Sequence, residues 1–275
     1  MRLRERWAAG AAVLLSCLLV APAGQAAEPL EYVALGDSAA AGPLVPVQDV
    51  NLLCLRSERN YPAVAARALR ARLVDVTCSG ATTDDLAGRR FGFLPPQFTA
   101  LGPGTDLVSI TIGANDVGMF QAALGCVNLL PDPYGRSCAD HGPDLRGAVT
   151  AWEAEFGTAL AEIRRRAPRA QVLVTGYATY IRPGGCFPTQ PVWARDADHL
   201  QGLLDAINAA ARDQARRHGA AFVDLAAVSV GHDICAAPAA RYLEGLIPTR
   251  PAAPLHPNAA GMAAFGEAVA AAARR

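Results

Sequence analysis

Glu31-Tyr32-Val33-Ala34-Leu35-Gly36-Asp37-Ser38 carries a short apolar run straight into a glycine turn that ends on a serine. Glu31–Leu35 has the length of a strand and no polar alternation, the pattern of a strand covered on both faces. Arg72–Thr77, Asp106–Ile112, Gln171–Thr175 and Ala221–Leu225 read as four further strands, several of them nearly continuous in apolar character. Between them, Tyr61–Leu69, Leu145–Ala167 and Arg195–His218 have helical composition, and Pro257–Arg275 closes the chain as an alanine-rich helix. The cationic end at Arg274-Arg275 suits the negative pole of that helix. Strands alternating with helices predict an α/β protein, a three-layer α/β/α sandwich on a mainly parallel sheet of about five strands. In such sheets ligands bind beyond the carboxyl ends of the strands. The loops that follow the strands are therefore where chemistry is sought.

The remainder of the chain sets bounds on the answer. Residues 1–27 run from Arg2, Arg4 and Arg6 through the apolar stretch Ala11–Val20 to small residues around Ala26-Ala27, the layout of a secretory signal peptide cleaved near Ala26 or Ala27. Two alternatives are a membrane anchor, for which the apolar run is short, and lipidation at Cys17 in Leu14-Leu15-Ser16-Cys17. Residues 28–275 are expected to form one domain, with no repeat or low-complexity linker dividing them. That segment carries 22 basic and 24 acidic residues, a net charge of −2. No basic run outside the leader exceeds Arg164-Arg165-Arg166, so a nucleic-acid partner is not expected. A monomer is the default expectation.

Six cysteines remain after the leader: Cys54, Cys78, Cys126, Cys138, Cys186 and Cys235. An even count in an exported chain predicts disulfides. The short interval between Cys126 and Cys138 favours local closure, and the proposed pairing is 54–78, 126–138 and 186–235. Zinc is the alternative, but the close C-x-x-C pairs of structural zinc sites are missing. No HExxH appears either, and no metal or other cofactor is expected.

Four loops offer chemistry. Gly36-Asp37-Ser38 places a hydroxyl and a backbone N–H after the first strand. Thr77-Cys78-Ser79-Gly80 follows the second with an amide that no side chain obstructs. Gly113-Ala114-Asn115-Asp116 follows the third with a neutral amide donor, and Pro254-Leu255-His256-Pro257 holds a histidine between prolines just before the last helix. Each is also an ordinary turn sequence, and none carries the reading alone. Their conjunction on one sheet edge does. His141, His199, His218 and His232 fall in loops or helical patterns without such company and read as structural or surface residues.

Ser38, Gly80, Asn115 and His256, in this order, resemble the four blocks of the SGNH or GDSL hydrolases. The resemblance runs from about Tyr32 to the C-terminus and is strongest to secreted actinobacterial lipases and esterases, whose three sequential disulfides match the pairing above. It implies a serine carboxylic-ester hydrolase: Ser38 as nucleophile, His256 as base, and the backbone N–H groups of Ser38 and Gly80 with the Asn115 side chain as oxyanion hole. One block departs from the family. The usual aspartate three residues before the histidine is Ala253 here. A Ser-His dyad is expected, with the main-chain carbonyl of Ala253 or Pro254 orienting the imidazole, as in some members; Asp233 or Asp224 supplying the acid is the alternative. Activity is expected to rise through roughly pH 6 to 7, near the ordinary histidine value.

Arg90-Phe91-Gly92-Phe93-Leu94-Pro95-Pro96-Gln97-Phe98 and Leu44-Val45-Pro46 are candidates for an apolar acyl pocket, with core packing as the competing explanation. Lipase, carboxylesterase, phospholipase A and carbohydrate deacetylase all remain open as activities, as does transient contact with a lipid interface. From another class, a non-catalytic secreted binding module stapled by disulfides would use Ser38 and His256 only as turn and cap residues. A nucleotide-binding redox protein ranks last, since neither G-x-G-x-x-G nor a P-loop is present.

Overall fold

Strand β1 (Glu31–Gly36) lies inside a five-stranded, fully parallel sheet of order β2-β1-β3-β4-β5, with β2 Arg72–Asp75, β3 Leu107–Thr111, β4 Gln171–Thr175 and β5 Ala221–Val223. The computed structural model describes residues 28–50 and 52–275; the leader expected over residues 1–27 lies outside the described residues. β3 is buried throughout and β1 nearly so, in keeping with their largely apolar sequences; the buried Ser109 hydroxyl of β3 is paired with the Tyr32 hydroxyl at 2.6 Å. The helices are α1 Ser38–Ala41, α2 Tyr61–Leu69, α3 Asp84–Ala87, α4 Met119–Gly125, α5 Cys138–His141, α6 Arg146–Arg166, α7 Ala194–Arg217, α8 Leu225–Val228 and α9 Ala259–Ala273. α2 packs against α9, and α6 against α7, so helices cover both faces of the sheet.

Side-chain chemistry sets where the elements end. β2 stops at Asp75, two residues short of its predicted end, because the Asp75 carboxylate turns back to accept from the Thr77 N–H at 3.0 Å and from the Thr77 hydroxyl at 2.7 Å. β5 stops at Val223 because Asp224 caps α8, accepting from Ala227 N–H at 3.1 Å. α9 begins after Asn258, whose side chain accepts from the N–H groups of Ala260 and Gly261. Such caps satisfy donors that a helix start leaves open.

The disulfides are Cys54–Cys78, Cys126–Cys138 and Cys186–Cys235. The first ties the loop after β1 to the loop after β2. The other two hold segments on the same side of the sheet as the loops that follow β3, β4 and β5. Each such bond typically stabilises by about 2–4 kcal/mol.

The strand order also locates the site. From β1 the chain crosses one way to β2, and β3 then lies on the other side of β1. The reversal between β1 and β3 opens a crevice beyond their carboxyl ends. Ser38 follows β1 and Asn115 follows β3, so both stand at that crevice.

Candidate active site

Gly36 lets β1 end this close to β3. Its φ is +141°, and a Cβ there would lie 2.4 Å from the Thr111 carbonyl oxygen. The close approach lets the Asp37 N–H donate to Thr111 O at 2.9 Å. Gln97 fixes the same turn, accepting from Gly36 N–H at 2.8 Å and donating to Gly36 O at 3.0 Å. Asp37 then caps α1 through Ala39 N–H at 2.8 Å, which leaves Ser38 as the first residue of that helix. An N–H in that position has no acceptor within its own helix.

Gly80 sits on a loop held from two directions. Ser79 N–H donates to Cys54 O at 2.9 Å, next to the Cys54–Cys78 bond, and the Arg90 guanidinium donates to Ser79 O at 2.9 Å. Gly80 has φ +75°, and a Cβ would come within 2.7 Å of that guanidinium. Asn115 is tied to the same loop, its amide donating to Ala81 O at 2.9 Å. A primary amide carries two N–H donors, and this contact uses one of them.

His256 arrives from the far end of the chain. Its Nδ1 lies 2.7 Å from the carbonyl oxygen of Pro254. A carbonyl only accepts, so Nδ1 carries the proton and Nε2 presents a lone pair. The preceding residue, Leu255, has φ +59°, a left-handed backbone uncommon for a residue with a side chain. That turn is braced by Leu255 N–H on Gly245 O at 3.2 Å and by Glu244 N–H on His256 O at 3.0 Å. Burial pushes the His256 pKa below the ordinary value, and the Pro254 carbonyl partly offsets this.

Of the two carbonyls expected to face the imidazole, Pro254 does so; Ala253 instead donates its N–H to Pro43 O at 2.9 Å. The alternative acids are engaged elsewhere. Asp233 bonds Arg182 and the Cys235 N–H, and Asp224 bonds Arg212 and caps α8. Glu244 accepts from Asn258 and Thr249.

Ser38, Gly80, Asn115 and His256 line one cavity of about 540 Å³. Among the described residues no hydrogen bond joins Ser38 Oγ to His256 Nε2; such bonds commonly tighten only once substrate is bound. The same cavity is lined by apolar side chains, Met119, Phe120 and Ala123 from α4, Leu200 and Leu204 from α7, and Ile181. Neither stretch expected to form an acyl pocket lines it. Phe91, Phe93 and Leu44 are exposed, while Phe98 and Val45 are buried in the core. Arg90 contributes differently, by clamping Ser79. Sequence reasoning also missed α4, a helix too short for its apolar periodicity to stand out.

The GDSL-like Lipase/Acylhydrolase family model matches residues 34–264. Lipase 2 of Streptomyces coelicolor is 43% identical over 251 residues, 88% of this chain and 84% of that protein. Among solved structures, the extracellular lipase from Streptomyces rimosus superposes with a TM-score of 0.76 at 31% identity, covering 89% of this chain and 99% of that one. The phospholipase A1 from Streptomyces albidoflavus gives 0.72 at 27% identity over the same shares. The chain therefore belongs to the GDSL-like lipase/acylhydrolase family and is a carboxylic-ester hydrolase.

Proposed function

We propose that the enzyme cleaves lipid acyl esters outside the cell through a Ser38–His256 dyad. The observation that carries this reading is the one cavity lined together by a hydroxyl, an imidazole, an amide donor and apolar side chains of α4 and α7. As Ser38 Oγ bonds to the acyl carbon, its proton passes to His256 Nε2. The carbonyl electrons move onto oxygen, and the N–H groups of Ser38 and Gly80 and the free amide N–H of Asn115 receive that oxyanion. Collapse breaks the bond to the alcohol oxygen, which takes the proton from His256. Water then repeats the sequence on the acyl-enzyme, releasing the acid and restoring Ser38. The Pro254 carbonyl holds the ring and accepts from the Nδ1–H throughout.

Asn115→Ala is expected to lower kcat about 10²–10³-fold, the usual cost of one oxyanion donor, with KM little changed. Steady-state kinetics on a soluble p-nitrophenyl ester checks this. A raised KM with kcat unchanged would assign Asn115 to ground-state binding instead.

The wall of α4 and α7 favours an acyl chain over the acetyl group of a carbohydrate ester. Phe120, which is 41% exposed, and Leu124, 45% exposed, continue the apolar surface of α4 outward from the cavity. The likeness to a phospholipase A1 supports a glycerolipid substrate. Paired cysteines, the leader-like residues 1–27 and the likeness to an extracellular lipase support export. The test compares p-nitrophenyl acetate, butyrate and decanoate. kcat/KM is expected to rise with chain length, and Ala123→Trp, which fills the cavity from α4, to reduce decanoate turnover about 10–200-fold while sparing acetate. Preference for acetate in the wild type would overturn the lipid reading.

A further inference from the structure

Tyr177 stands two residues beyond β4 and is buried. Its own peptide unit is held from α7, where Asn208 accepts from Tyr177 N–H at 2.7 Å and donates to Tyr177 O at 2.9 Å. The phenol therefore leaves a fixed base. At its tip the hydroxyl donates to Asp37 Oδ2 at 2.5 Å and accepts from the Ala114 N–H at 2.9 Å. Asp37 is the residue before Ser38, and Ala114 is the residue before Asn115. One oxygen thus links the two loops that flank the crevice, each at the position adjoining a group of the oxyanion hole.

No other side chain among the hydrogen bonds of the described residues joins these two loops directly. Gln97 holds Gly36, Arg90 holds Ser79, and Asn115 holds Ala81, each on one side of the crevice or across to the Gly80 loop. We propose that Tyr177 is a positioning residue for ester hydrolysis, its hydroxyl setting the spacing between the Ser38 N–H and the Asn115 amide so that both reach one oxyanion. The proposal rests on the acyl-transfer reading above and adds a residue that touches the reacting atoms only through others. Burial raises the Asp37 carboxyl to about 7 against the opposing hydrogen bond from Tyr177. A carboxylate kept in so poorly solvated a place needs a donor such as this phenol.

If the spacing matters, its loss falls on the tetrahedral state and spares the bound ester. Tyr177→Phe keeps the ring in the cavity wall and removes only the bridge. In wild type, Tyr177→Phe and Asp37→Asn, the readouts are kcat and KM on a soluble p-nitrophenyl ester and the inhibition constants of an alkyl boronic acid and a matching fatty alcohol. The boronic acid captures Ser38 as a tetrahedral anion; the alcohol occupies the cavity without bonding. For Tyr177→Phe, kcat is expected to fall on the order of 10²-fold, as displacements of about 1 Å can cause, and boronate affinity to weaken with it. KM and alcohol affinity should hold. Asp37→Asn, which keeps the shape of the side chain, should show the same split with a smaller loss, and it carries the test should Tyr177→Phe fail to fold. Unchanged kcat in both variants, or boronate and alcohol affinity falling together, would overturn the proposal. An inactive wild type would instead sink the acyl-transfer reading on which it stands.

Discussion

Ser38→Ala is expected to abolish ester hydrolysis, lowering kcat on the order of 10⁴–10⁶-fold, the range seen when a serine hydrolase loses its nucleophile. The size follows from the site. With Ser38 gone the proposed oxyanion donors at Gly80 and Asn115 remain, and so do the apolar side chains lining the cavity. What disappears is the covalent route, and water must attack an ester directly with only electrostatic help. The fold should not suffer. α1 is capped by Asp37, not by the serine hydroxyl, and Gly42 N–H bonds the Ser38 carbonyl, which alanine keeps. The measurement is turnover of a p-nitrophenyl ester beside a thermal melt. Loss of turnover with an unchanged melt supports the nucleophile; near-normal turnover would return Ser38 to the role of a turn residue and revive the binding-module reading.

His256→Ala is expected to cost nearly as much, because nucleophile and base act as a unit and their losses do not add. The dyad makes a further distinction from a triad. In a triad, replacing the acid leaves the wrong imidazole tautomer and lowers kcat about 10⁴-fold. Here the partner of Nδ1 is a backbone carbonyl at Pro254, so Asp233→Asn and Asp224→Asn should leave kcat close to wild type. Either one falling as His256→Ala does would place an acid in the mechanism. Titration carries the sign of the environment. Burial lowers the His256 pKa below 6.5, so the neutral, competent base persists to lower pH than in an exposed histidine. The rising limb of kcat/KM should be centred below pH 6.5, displaced downward from the midpoint expected of the residue type alone. The imidazole's own NMR titration should share that midpoint. It separates His256 from Asp37, whose carboxyl also titrates upward of its usual range and bonds Tyr177. A midpoint at or above 6.5 would contradict the burial argument.

Most of the fold is legible in the chain because β1, β3 and β4 are covered on both faces and are accordingly rich in apolar residues, the buried Ser109 of β3 being satisfied by the Tyr32 hydroxyl. Ends are less so. Asp75 and Asp224 terminate β2 and β5 through their own carboxylates, a contest between side chain and ladder that hydrophobic periodicity does not register. The polar end of the cavity is legible for a topological reason, since residues just past parallel strands share one edge. Applied to the fourth strand, the same rule reaches Gly176-Tyr177, a signal left unread. The apolar end is not legible. Phe91 and Phe93 look like pocket residues in sequence yet point to solvent, whereas Ala123 and Leu204 become walls only once α4 and α7 meet over the crevice. Sequence likewise narrows the carbonyl facing His256 to Ala253 or Pro254; the left-handed turn at Leu255 selects Pro254.

A serine activated by His256 reacts with organophosphates far faster than an ordinary serine does. Diethyl p-nitrophenyl phosphate leaves a diethyl phosphoryl group on such a serine, and peptide mass spectrometry of the intact, disulfide-bonded protein locates it. The expected result is a single adduct on the peptide containing Ser38, formed rapidly in wild type, slowly in His256→Ala and not at all in Ser38→Ala. An adduct on another residue, or labelling of Ser38 at the same rate without His256, would contradict the mechanism.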